Sequence, residues 1–84
     1  MGMTNTQAVQ TMNDVKERVS ELLNMAMMLN RQIEEQHSAA MAAASVLRND
    51  EMLPALAGLV DAMERTQAVV ESLAGARGVI DRTN

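Results

Sequence analysis

Between Met12 and Leu47 the apolar positions return at alternating intervals of three and four: Met12, Val15, Val19, Leu22, Ala26, Leu29, Ile33, Ala40, Ala43 and Leu47, with Gln36 as the one polar interruption. Such intervals average 3.5 residues, the repeat of a helix that packs along a heptad seam. The stretch holds neither Gly nor Pro. Upstream, Thr4 and Gln7 have capping-box spacing, which predicts a helix start near Asn5, and Thr11 with Asp14 offers a second start. Residues 1–4 are expected to fray. The pattern breaks at Asn49-Asp50-Glu51, and Pro54 follows, which suits the end of one helix and the first turn of the next. The second helix takes Leu53, Leu56, Leu59, Val60, Met63, Val70, Leu73, Val79 and Ile80 as its apolar positions, with Thr66 and Gln67 interrupting. Gly75 and Gly78 weaken its last turns, so fraying is expected after Arg77.

A connection this short forces the helices antiparallel. The expectation is an all-α chain forming a single helical-hairpin domain over 1–84: helix about 5–48, turn about 49–53, helix about 54–81. Ala39, Ala40, Ala42, Ala43 and Ala44 either approach Ala57, Gly58 and Ala62 near the turn or are there simply as the best helix formers. Gln36 either fixes the register or simply turns its amide to solvent, and Leu29→Asp is expected to unfold the hairpin. Folding about the turn puts Ile80 near Leu22, leaving about fifteen residues, or roughly 22 Å, of the first helix unpaired. Val9, Met12, Val15 and Val19 would then be apolar without cover, and Met25, Met27 and Met28 point from other sides of the same helix. The surplus implies a second chain and a four-helix bundle formed by dimerisation. The interface residues expected are Met12, Val15, Val19, Met25, Met27 and Met28. The alternative is a bend near Asn24 or Asn30 that closes one chain into a three-helix bundle.

Composition narrows the classes. Across 84 residues there are no aromatic residues and no Cys, which favours zipped helices over a globular core and removes disulfides and thiolate ligands. The net charge of −4, with arginines scattered singly among acids, argues against a nucleic-acid partner. No run reaches the ~20 apolar residues of a membrane span, and the amino terminus lacks the regions of a cleavable signal peptide. The location expected is the cytoplasm, or export as a folded helical dimer without a cleavable signal peptide. No catalytic residue, cofactor or small-molecule substrate is evident, and an enzyme is not expected. Glu34 and His37, spaced i, i+3 as in di-iron bundles, could join Glu64 across a dimer as a ferritin-like metal site. A solvated acidic face is the plainer reading. Gly75-x-x-Gly78 follows no strand and so is no phosphate loop.

The seam through Val19, Leu22, Leu29 and Ile33, the polar turn Arg48-Asn49-Asp50-Glu51 and the stripe Leu56, Met63, Val70 resemble the W-x-G helical-hairpin family of type VII secretion systems. The likeness is to divergent actinobacterial members and spans residues 12–82. Leu47-Arg48-Asn49 stands where the family has Trp-x-Gly, and the Tyr of its export signal has no counterpart. The resemblance implies a small partner or substrate of such a system, pairing with itself or a related hairpin. A phage or virion scaffold protein is the competing setting.

Overall fold

The computed structural model of the chain describes residues 2–48 and 50–83. The part expected of Asn49 in the turn, and anything expected of Met1 and Asn84, lies outside the described residues. Helix α1 spans Asn5–Leu47 and helix α2 spans Leu53–Thr83, with a single 3-10 turn, Asp50–Met52, between them. The described residues contain no strand. The fold is therefore an all-α helical hairpin.

The capping box implied by Thr4 and Gln7 starts α1. Thr4 Oγ1 accepts from the Gln7 backbone N–H and Gln7 Oε1 accepts from the Thr4 backbone N–H, both at 3.1 Å. Thr11 and Asp14 lie inside the helix and start nothing. α1 then runs as one helix of 43 residues, so no bend at Asn24 or Asn30 makes a third helix. It ends at Arg48, whose backbone is left-handed (φ 51°, ψ 46°) and whose N–H donates to the Ala44 carbonyl. A side chain in that region costs on the order of 1 kcal/mol, because its Cβ crowds the backbone. α2 carries Pro54 in its first turn, where a missing N–H leaves no helical bond unmade. Its glycines do not end it at Arg77. Ile80 is half-buried, and Lys16 Nζ meets Asp81 Oδ1 at 2.8 Å, so the last turns are held against α1.

Two contacts set the register. Asn30 Nδ2 donates to Thr66 Oγ1 at 2.6 Å, and these residues stand eighteen positions either side of Arg48. The Lys16–Asp81 pair agrees with the same centre. Residues equally far from Arg48 are therefore level, such as Leu23 with Leu73, Ile33 with Met63, His37 with Leu59 and Ala40 with Leu56. This corrects the expectation that Ile80 meets Leu22. The chain reverses at the left-handed Arg48, about three residues before the centre of the polar turn, and each residue of difference moves its opposite number by two. α2 consequently covers α1 almost to Met12.

The seam itself is also corrected. Met12, Val19, Ala26, Ile33 and Ala40 face α2 as expected, but the alternate inner positions are Lys16, Leu23, Asn30, His37 and Ala44. Each lies one residue beyond Val15, Leu22, Leu29, Gln36 and Ala43, all of which are exposed. Met52 of the 3-10 turn, then Leu56, Leu59, Met63, Thr66, Val70, Leu73, Arg77 and Ile80 of α2, answer at strict intervals of four and three. Of the small residues grouped near the turn, Ala40, Ala44 and Ala62 are half-buried and the others are exposed. The product is a rod of 63 × 19 × 18 Å. Its radius of gyration is 19.2 Å, against about 12 Å for a compact chain of this length.

Candidate functional site

Among the described residues Leu23 alone is buried, at 3% exposure. Fifteen large apolar side chains among the described residues are exposed. Their arrangement follows from the seam. In an antiparallel pair, the residue just before each inner position that opens a three-residue interval lies on the same side of the hairpin in both helices. On α1 that row is Val15, Leu22, Leu29, Gln36 and Ala43; on α2 it is Ala55, Ala62, Val69 and Ala76. Neither row contains a charge. Leu22 and Leu29 are each 49% exposed and Val69 47%, with Met25 beside them on α1 at 64%.

The opposite side is mixed. Met27 and Met41 on α1 and Leu53 and Val60 on α2 are exposed there, but Glu34 and the Lys16–Asp81 pair interrupt them. Of the surface hollows, those along Asn5, Val9 and Asn13 and along Asp14 and Glu21 are each lined by one helix. Another lies beside the turn between Met41, Arg48, Asp50 and Leu53.

The expected interface residues are thus divided. Met12 and Val19 are half-buried in the hairpin's own seam. Val15 lies in the uncharged row, Met25 one row further out in line with Arg18, Met27 on the mixed side, and Met28 faces away from α2. Gln36, expected in the seam, is exposed. Its exposure agrees with the solvent-facing alternative, and the amide that acts across the seam is Asn30, which donates to Thr66 Oγ1 and also to the Met63 carbonyl at 2.9 Å. The Thr66 hydroxyl contacts the Ala62 and Met63 carbonyls at 3.0 Å, so it is oriented to accept from Asn30. Sequence reasoning missed this pair, although Thr66 breaking the stripe of α2 was its trace.

His37 is half-buried in the seam, whereas Glu34 and Glu64 are exposed. Among the described residues no group of three or more His, Asp or Glu could hold a metal ion within one chain. Two ion pairs lie within single helices, Asp61–Arg65 at 2.7 Å and Arg18–Glu21 at 3.5 Å. All four side chains are exposed, so each pair contributes well under about 1 kcal/mol. Among the described residues no helix is long and apolar enough to cross a membrane. Comparison with protein-family models, curated proteins and solved structures found no match to this chain.

Proposed function

We propose that the chain is a non-catalytic helical interaction protein that pairs, with itself or a related hairpin, through its uncovered apolar sides. The observation that carries this reading is the imbalance of burial. The chain exposes 6488 Å², whereas a folded monomer of 9.1 kDa exposes about 4,900 Å². One buried Leu supplies about 1.5–3 kcal/mol. Ordering the backbone costs about 1–2 kcal/mol per residue, and the half-buried seam must offset most of that alone. A partner that binds the folded hairpin adds what the single chain lacks.

The resemblance to W-x-G hairpins adds a setting, a small partner or substrate of a type VII secretion system. A virion or scaffold role would use the same surface. Sedimentation equilibrium of the full chain over a wide concentration range tests the pairing. The reading expects a mass near twice 9.1 kDa. A single-chain mass throughout, with no related hairpin bound, would overturn it.

A further inference from the structure

We infer that the uncharged side of the hairpin seats a second copy of the same chain, with α1 of each copy lying over α2 of the other. The inference rests on the reading of the chain as an interaction protein, and adds which side is used, by what occupant and in which orientation.

Charge distinguishes the two sides. The rows through Leu22 and Leu29 on α1 and through Val69 on α2 are free of charge from Val15 to Ala43 and from Ala55 to Ala76. The opposite side carries Glu34 and the Lys16–Asp81 pair. Interface cores are depleted of charged residues, so the first side is the one suited to being covered.

Side-chain size selects the occupant. On this side α1 presents Val15, Leu22 and Leu29, while α2 presents mainly Ala, with Val69 among them. A two-fold axis along the rod lays the large row of one copy onto the small row of the other, twice over, so the patch is complementary to itself. The levels are unchanged by that axis. Leu29 then falls between Ala62 and Val69 of the second copy, and Leu22 between its Val69 and Ala76. A two-fold across the rod would instead set leucines on leucines and leave the alanine rows facing a gap.

The elongated chain exposes about 1,600 Å² more than a typical monomer of its mass, so it can lose the ~800 Å² per partner of a standard interface and still expose more than such a monomer.

Because the chain has no Cys, single cysteines report the orientation. Chains carrying Leu22→Cys, mixed with chains carrying Ala76→Cys and oxidised, should form the mixed disulfide several-fold faster than Leu22→Cys alone forms its own. Val60→Cys should join neither. The double variant Leu22→Glu/Leu29→Glu should sediment as a single chain with its helicity retained, and Met41→Glu/Val60→Glu should keep the doubled mass. If the first double variant loses helicity, the cysteine pairs decide. A doubled mass retained by folded Leu22→Glu/Leu29→Glu would overturn the inference while leaving the interaction reading in place. So would Leu22–Leu22 disulfides that outpace the mixed pair. A single-chain mass for the unaltered protein, with no other partner, would overturn both.

Discussion

Replacing Asn30 with Ala and Thr66 with Val, singly and together, weighs the side-chain link that fixes how far α1 has slid along α2. Asn30 makes two hydrogen bonds across the seam, at 2.6 Å to Thr66 Oγ1 and 2.9 Å to the Met63 carbonyl. A neutral bond of this kind contributes about 0.5–1.5 kcal/mol net. Asn30→Ala loses both, against a gain in helix propensity of about 0.5 kcal/mol, so the expected cost is about 1–2 kcal/mol. Thr66→Val removes only one of them, at a cost of about 1 kcal/mol. The coupling between the substitutions should be about 0.5–1.5 kcal/mol, because local helix terms cancel in the cycle. A chain of this length has only about 4–13 kcal/mol of stability in all, so the effect is measurable. Urea unfolding of the four proteins at one chain concentration, followed by far-ultraviolet circular dichroism, gives the coupling. A value within about 0.3 kcal/mol of zero would show that Asn30 and Thr66 do not face each other. The register, and with it the identity of the uncharged side, would then be wrong.

Three further substitutions test separate parts of the hairpin. Leu23→Asp places a carboxylate at the one buried position and should abolish cooperative unfolding, while Leu29→Asp should keep its helicity because Leu29 is half exposed; equal helicity in the two variants would refute the seam. Gly75→Ala meets open space in a helix interior and should raise stability by about 0.5–1 kcal/mol; a loss would mean that the last turns of α2 are not helical in solution. Arg48→Gly relieves the left-handed cap and should stabilise by up to about 1 kcal/mol in a urea titration, whereas a loss above that size would mean the chain does not reverse there.

Much of the backbone plan was legible in particular residues. Thr4 and Gln7 marked the start of α1, Pro54 the start of α2, and the row Met12, Val19, Ala26, Ile33, Ala40 the side of α1 that meets it. The other half of the seam was not legible, for a physical reason. Val15, Leu22 and Leu29 repeat at the same interval as Lys16, Leu23 and Asn30, one residue earlier, and are the more apolar set. Periodicity shows which rows are oily, but which row faces the partner helix depends on where the chain turns. That turn was hidden in a left-handed Arg, a conformation more usual for Gly. The same ambiguity scattered the expected contact residues, since Met25, Met27 and Met28 lie on three different aspects of α1. Glu34, His37 and Glu64 shared a plausible spacing, but only His37 turns inward.

The most direct test of the central claim is the dependence of the unfolding temperature on chain concentration. If pairing through the uncharged side stabilises the folded hairpin, each tenfold rise in concentration should raise Tm by about 4 °C, given the usual unfolding entropy of two such chains, whereas Leu22→Glu/Leu29→Glu should melt lower and at a Tm that does not move. A Tm of the unaltered chain that does not move over a hundredfold range would show a hairpin that gains nothing from pairing, and would contradict the account.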